Sequence, residues 1–177
     1  QSEPAHGLMR AVRALGQSLD SLLDVARLDA GSVKPRWQAV SIDALLLTLQ
    51  HTFAPRAQAA GLQLRLRASG LWVHSDPQLL QRLLSNLLDN ALKYTRAGGV
   101  LVTARRRGQQ VRIEVRDSGI GIAPELRSRV FEEFYQVDNP GRDRSRGLGI
   151  GLSIVRRLAR ELSHELQLDS WPGRGTR

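Results

Sequence analysis

The chain has 177 residues, no cysteine, and 26 basic against 17 acidic side chains, a formal net charge of +9. This length allows one domain with an appendage; the lack of cysteine excludes disulfides, thiolate catalysis and zinc–thiolate sites, and the basic excess favours an anionic partner. No apolar run reaches membrane-spanning length and no signal peptide is visible, so a cytoplasmic location is expected; aromatic residues are 5% of the chain, which argues against direct nucleic-acid binding by base stacking.

Leu8, Val12, Leu15, Leu19, Leu22 and Ala26 recur at alternating spacings of four and three. This is the seam of a helix bundle, and it predicts one long helix over roughly residues 4–30. No second helix follows before Gly31, so the seam is expected to pair with upstream sequence, with a second copy of the chain, or with its own domain. Gly31-Ser32 stops the helix, and residues 33–36 read as a linker. Residues 37–40 read as a short strand. Ser41 is placed to cap a helix reaching about Ala60, with Asp43 favourable in its first turn. Pro55 is expected to kink or interrupt that helix, and Gly61 to end it. Leu62, Leu64 and Leu66 alternate with Gln63, Arg65 and Arg67, the period of a half-buried strand; residues 71–74 read as another.

Asp76 and Pro77 make a strong helix start, as N-cap and first-turn residue. Leu80, Leu83, Leu84, Leu87, Leu88 and Ala91 then form a wide apolar stripe, predicting a helix to about Thr95. Asn86, Asn90 and Lys93 fall on one strip at its border. An Asn carbonyl oxygen suits a hard cation and a Lys suits a phosphate, but half-exposed polar residues on an amphipathic helix explain the strip equally well.

Ala97-Gly98-Gly99 is read as a turn and residues 100–104 as a strand. Arg107-Gly108-Gln109 forms a hairpin turn, and Val111, Ile113 and Val115 alternate with polar residues in the return strand. The run Arg105-Arg106-Arg107 reads as a solvated strand end. The return strand enters Asp117-Ser118-Gly119-Ile120-Gly121. Residues 124–135 hold short helical turns, and residues 136–146 read as a mobile polar loop. Gly147, Gly149 and Gly151 precede a helix ending near Leu162. Residues 166–170 read as a strand and Pro172 to Gly175 as a turn, after which a further strand is expected, so truncation at both ends is expected.

No GxxxxGK[ST] is present, and the third glycine of a dinucleotide fingerprint would fall on Pro124. Either glycine loop alone is a tight turn. The ordered combination is more specific. Asn86-Leu-Leu-Asp-Asn90-Ala-Leu-Lys93-Tyr94, Asp117-Ser-Gly119-Ile-Gly121, Phe131-Glu-Glu-Phe134-Tyr135 and Gly147-Leu148-Gly149-Ile-Gly151-Leu152 resemble the N, first glycine, F and second glycine boxes of sensor histidine kinase catalytic domains. These domains belong to the gyrase/chaperone/histidine kinase/mismatch-repair ATPase superfamily. The resemblance covers nearly the whole chain.

That resemblance implies an α+β two-layer sandwich of the Bergerat type, a mixed sheet covered on one face by helices, in residues 33–177, preceded by one long bundle-forming helix in residues 1–32. The helix resembles the second helix of the dimerisation and phosphoacceptor hairpin. ATP and Mg²⁺ are the implied ligands. Asp117 would accept from the adenine amino group, with Gly119 and Gly121 letting backbone lie against the base. Asn90 would hold Mg²⁺, with Asn86 beside it. Lys93 and Tyr94 would reach the phosphates, and Gly147, Leu148, Gly149, Gly151 and Leu152 would form the cradle under a lid spanning residues 118–146. Arg146, or Arg142 or Arg144, would add charge at the transferred phosphoryl group. Implied partners are a second copy through the N-terminal helix and a response-regulator receiver domain.

The implied activity is transfer of the ATP γ-phosphate to a histidine. Ser163-His164-Glu165-Leu166 mimics a phosphoacceptor sequence, but Gln167 follows it and no proline does; His6, His51 and His74 lack the acidic context. The acceptor is therefore expected on a helix outside this sequence. ATP hydrolysis is the second reading, weakened because Asn86 cannot act as a general base where hydrolysing relatives carry Glu. A nucleotide-binding regulatory module without transfer is the third.

Overall fold

The computed structural model describes residues 33–137 and 148–177, together with Met9, Val12, Gly16, Leu19, Leu22, Leu23, residues 25–27, Ala30 and Gly31. The described residues of the N-terminal segment from Met9 to Arg27 are helical, and the Ala30 N–H donates to the Ala26 carbonyl at 3.0 Å. Val25 packs against the core, whereas the seam residues Val12 and Leu19 are each 59% exposed. Leu8 and Leu15 of the seam lie outside the described residues.

From residue 37 the chain runs β1 (Gln38–Ser41), α1 (Ile42–Ala59), β2 (Gln63–Leu66), β3 (Trp72–Ser75), α2 (Pro77–Tyr94), β4 (Gly99–Arg107) and β5 (Gln110–Asp117). Two 3₁₀ turns follow, Pro124–Leu126 and Arg129–Phe131, then α3 (Gly151–Glu161), β6 (Ser170–Trp171) and β7 (Gly175–Thr176). The main sheet has the order β2-β4-β5, with β2 parallel and β5 antiparallel to β4. The β6–β7 hairpin abuts the end of β5, and β1 and β3 form a separate antiparallel ribbon.

The alternation expected of the strands sets the layers. Leu64, Leu66, Val100, Val102, Ala104, Ile113 and Val115 share one face in register and enter the core. Against them pack Leu45 and Leu49 of α1, Leu80, Leu84 and Leu88 of α2, and Ile154 and Leu158 of α3. The expected layer of helices on one face of a mixed sheet is therefore observed.

Helix starts follow their chemistry. Ser41 Oγ accepts from the Ala44 N–H at 3.3 Å. Asp76 Oδ1 accepts from the Gln78 and Leu79 N–H groups, both at 2.9 Å, while its Oδ2 takes the Arg36 N–H at 2.7 Å. One carboxylate thus caps α2 and ties the entering chain to it. Ser163-His164, read as an accidental acceptor mimic, lies past the end of α3, where His164 Nε2 sits 3.0 Å from the buried Ser75 Oγ.

Several expectations need correction. α1 runs unbroken through Pro55. Pro55 and His51 are exposed, so the carbonyl deprived of its i+4 donor faces water and the ring meets no packed neighbour. β1 and β3 lie one residue later than read, because their mutual register, not their composition, sets their ends. β4 extends from Gly99 to Arg107, since β2 pairs with Gly99 and β5 with residues Val100 to Arg107. Of residues 166–170 only Ser170 is in a strand; the ladder begins where β7 offers a partner.

Asp43 fastens α1 to the loop before β3. Its carboxylate accepts from the Ser69 N–H at 2.7 Å, the Gly70 N–H at 3.0 Å and the Ser69 hydroxyl at 3.3 Å. The backbone bonds from Ser69 and Gly70 favour the ionised form and hold the carboxyl below its ordinary value. On acidification the unfolded chain takes up this proton first, so the stabilisation is complete above the ordinary carboxylate range and is lost as pH falls through the lowered folded value. Asp43→Asn should flatten the acid limb of the unfolding midpoint against pH, measured by thermal denaturation; an unchanged limb would show that these bonds contribute nothing.

Candidate functional site

A cavity of about 900 Å³ runs along β5 between α2, the start of α3 and residues 163–169. Its walls include Asn86, Asn90, Lys93, Tyr94, Asp117, Gly121, Leu148, Gly149, Gly151 and Leu152. The structure therefore brings together, from three separated stretches of sequence, most of the residues singled out from the motifs. Gly119 does not line the cavity. It lies behind the wall, where its N–H donates to Asp117 Oδ1 at 2.8 Å. Arg142, Arg144, Arg146 and Gly147 fall outside the described residues, as does most of the loop expected over residues 136–146.

Asp117 ends β5 and is the most constrained group of the site. Its Oδ1 accepts from Gly119 and, at 3.2 Å, from the Thr176 N–H, 59 residues away in sequence. Its Oδ2 accepts no hydrogen bond among the described residues, and Asp117 is one of the residues lining the cavity. Burial pushes the carboxyl above its ordinary value, and the two N–H bonds oppose that shift. The result is a fixed, half-buried carboxylate with one oxygen held and the other without a hydrogen bond among the described residues.

The segment after Asp117 is strapped on both sides. The Ile120 N–H donates to the Tyr94 carbonyl at 3.2 Å, and the Gly173 N–H donates to the Ile120 carbonyl at 2.7 Å. The Ile122 N–H donates to the buried Ser170 hydroxyl at 2.7 Å. Gly121 has φ +69°, and a Cβ there would collide with the Trp171 carbonyl. Gly121→Ala should therefore cost at least about 1–2 kcal/mol from the left-handed backbone alone, read as a lowered unfolding midpoint. An unchanged midpoint would mean that the β6–β7 hairpin is not held against this loop.

Opposite, the carboxamides of α2 converge on the start of α3. A Cβ at Gly151 would lie 3.4 Å from Asn90 Nδ2 and 3.6 Å from both Asn86 Oδ1 and Asn90 Oδ1. Asn86 Nδ2 donates to the Arg82 carbonyl at 2.9 Å, which turns its oxygen toward this point. α3 begins without a side-chain cap, so its first N–H groups remain available. Lys93 Nζ stands 4.9 Å from the Tyr94 ring centroid. No group of three or more His, Cys, Asp or Glu residues among the described residues has the geometry to hold a metal ion. Two carboxamide oxygens make an incomplete oxygen site, of the kind that Mg²⁺ occupies when phosphates and waters supply the remaining ligands.

Val130, Phe131 and Tyr135 also line the cavity. The Arg129 guanidinium lies 4.3 Å from the Tyr135 ring centroid, and Glu133 pairs with Arg157 of α3. From sequence, Ser170 reads as strand and Gly175 as turn, while Trp171 and Thr176 are assigned to neither. Their part in holding Asp117 and the glycine loop comes from long-range backbone contacts, for which local sequence carries no signal.

Comparison with known proteins identifies the family of the chain. The family model for histidine kinase-, DNA gyrase B- and HSP90-like ATPases matches residues 75–177. The chain is 35% identical over 97% of its length to the sensor histidine kinase RppB of a Synechocystis strain, covering 38% of that protein. It is 34% identical over 92% of its length to the sensor-like histidine kinase SenX3 of Mycobacterium tuberculosis, covering 40% of it. The chain thus spans about two fifths of these relatives. Among solved structures, full-length ShkA in complex with AMPPNP superposes with a TM-score of 0.84 at 30% identity, over 99% of this chain and 37% of that one. The histidine kinase AdeS of Acinetobacter baumannii shares the fold, with a TM-score of 0.81 at 20% identity, over 97% of this chain and 79% of that one.

Proposed function

Since this chain belongs to the histidine kinase-, DNA gyrase B- and HSP90-like ATPase family, we propose that it is the ATP-binding catalytic part of a sensor histidine kinase in a two-component signalling system. The observation that carries this reading is the Asp117 carboxylate in the cavity lining, anchored through Oδ1 and with no hydrogen bond to Oδ2 among the described residues. A fixed acceptor there takes the exocyclic amine of adenine and rejects the carbonyl that guanine presents. In the same reading Gly121 lets backbone lie against the base, and Lys93 and Tyr94 face the phosphates. The glycines before α3 cradle the phosphates together with its uncapped N–H groups. Asn90, with Asn86, would hold Mg²⁺, which supplies neutralisation of phosphate charge. The rest is positioning, which phosphoryl transfer needs more than covalent help from the protein.

Transfer rather than hydrolysis is supported by Asn86, which has no proton-accepting function to activate water. In this reading residues 1–32 belong to a dimerisation bundle and residues 33–177 are the catalytic domain. The exposed apolar Val12, Leu19 and Leu22 support pairing with a second copy. The phosphate acceptor is a histidine on a helix packed against that seam, and a response-regulator receiver domain takes the phosphate onward.

Calorimetric titration of the chain with Mg–ATP and Mg–GTP tests the pocket. ATP should bind and GTP should be at least about 10-fold weaker, the loss of one well-placed hydrogen bond. Steady phosphate release should stay at background. Equal affinities would overturn the base-recognition role, and sustained turnover in solution would favour the hydrolase reading.

A further inference from the structure

The main sheet has a second face, which the nucleotide reading does not use. Side chains alternate along a strand, and register partners point to the same side. With β2, β4 and β5 in their observed register, Arg65, Arg67, Arg105, Arg107, Arg112 and Arg116 all stand on the face away from the helices. The one acid among them, Glu114, is taken by Arg116 at 2.6 Å and lies 3.9 Å from Arg177. The guanidinium groups of Arg67, Arg105, Arg107 and Arg112 have no hydrogen bond or ion pair among the described residues. Arg105 is directly opposite Arg112. Like charges so placed destabilise a sheet, and a bound polyanion would remove that cost. Gln63, Arg65, Arg67, Arg116 and Ser118 also border a shallow depression of about 260 Å³ on the β2 side of the sheet.

We propose that this face docks on an anionic phospholipid surface. Arginine's planar fork pairs with phosphate oxygens, and each basic group near a charged bilayer contributes independently of any shape match. A folded acidic protein would need buried apolar or aromatic anchors. None of the exposed large apolar side chains among the described residues lies on this face. The same absence removes the stacking platform that single-stranded nucleic acid requires. Outer strand axes about 10 Å apart, widened by arginine side chains on both, exceed the roughly 12 Å major groove of a DNA duplex. The charge is spread across all three strands, as a diffuse planar counter-charge requires. Arg107 and Arg112 also border the cavity along β5, whereas Arg65, Arg67, Arg105 and Arg116 do not.

The test is sedimentation of the 177-residue chain with sucrose-loaded vesicles of phosphatidylcholine, alone or with 30% phosphatidylglycerol. The chain should partition at least about 100-fold more strongly onto the anionic vesicles, and the preference should fall steeply with added salt. R105E/R112E should lose about 100-fold or more of that binding, with R105Q/R112Q losing less. R36E/R160E has the same net charge as R105E/R112E but lies off the sheet, and it should lose much less. A retained unfolding midpoint in each variant certifies the fold, and the glutamine pair serves if the glutamate pair does not fold. Equal losses in R105E/R112E and R36E/R160E, no preference for anionic vesicles, or tighter binding to a 20-base-pair duplex or a hexaglutamate peptide than to the vesicles would each overturn the proposal.

Discussion

Asp117→Asn is expected to weaken ATP binding by about 100-fold while leaving the unfolding midpoint nearly in place. The variant keeps a carbonyl oxygen that can accept from Gly119 and Thr176, so the loop and the β6–β7 hairpin stay anchored. With that oxygen committed, the amide nitrogen takes the place of Oδ2, and in the proposed pocket a donor would then meet the adenine amine. A charge-assisted hydrogen bond, worth about 1.5–3 kcal/mol, is exchanged for a donor–donor contact. Asp117 is raised by burial, so the neutral variant also loses a desolvation cost, which works against any fall in stability. Calorimetry with Mg–ATP and thermal unfolding of the same sample give the two readouts. Near-normal affinity would remove Asp117 from base recognition; lost affinity with a collapsed midpoint would make it a structural group only.

Asn90→Ala should reduce Mg–ATP affinity roughly 10–100-fold, the range for disturbing a metal site. Binding of ATP in excess chelator should change far less. Asn90 lies inside α2, where alanine is the better helix former, so the helix itself is not weakened. The side chain's carboxamide points at Gly151, and Asn86 points at the same place. Losing one of two converging oxygens should therefore uncouple metal from nucleotide rather than remove the pocket. Titrations with and without Mg²⁺ separate the outcomes. Equal losses in both would mean that Asn90 only packs against the start of α3.

Much of the architecture could be read from local chemistry. Ser41 and Asp76 announce their helices because a cap is a bond between a side chain and backbone two or three residues away. The alternation in residues 62–67 and 111–116 is equally local, because a strand with one buried face needs it. Pro55 was misjudged because its cost depends on whether the unpaired carbonyl meets water, which is a tertiary fact. The ends of β1, β3, β4 and β6 were misplaced because a strand ends where its partner ends.

The same division runs through the candidate site. Sequence alone determined that an Asn-Asn-Lys strip, an Asp-x-Gly-x-Gly turn and a glycine-rich helix start occur in that order. Each is a short-range pattern fixed by helix or turn geometry. Only the tertiary structure decided that the two carboxamides aim at Gly151, that Gly119 stands behind Asp117 and not in the wall, and that Thr176 fixes the orientation of that carboxylate. It also decided that arginines dispersed over three strands share one face. The physical reason is common to all of these. Backbone hydrogen bonds and sheet register join residues tens of positions apart, and nothing in the local sequence encodes which carbonyl, amide or edge will be the partner.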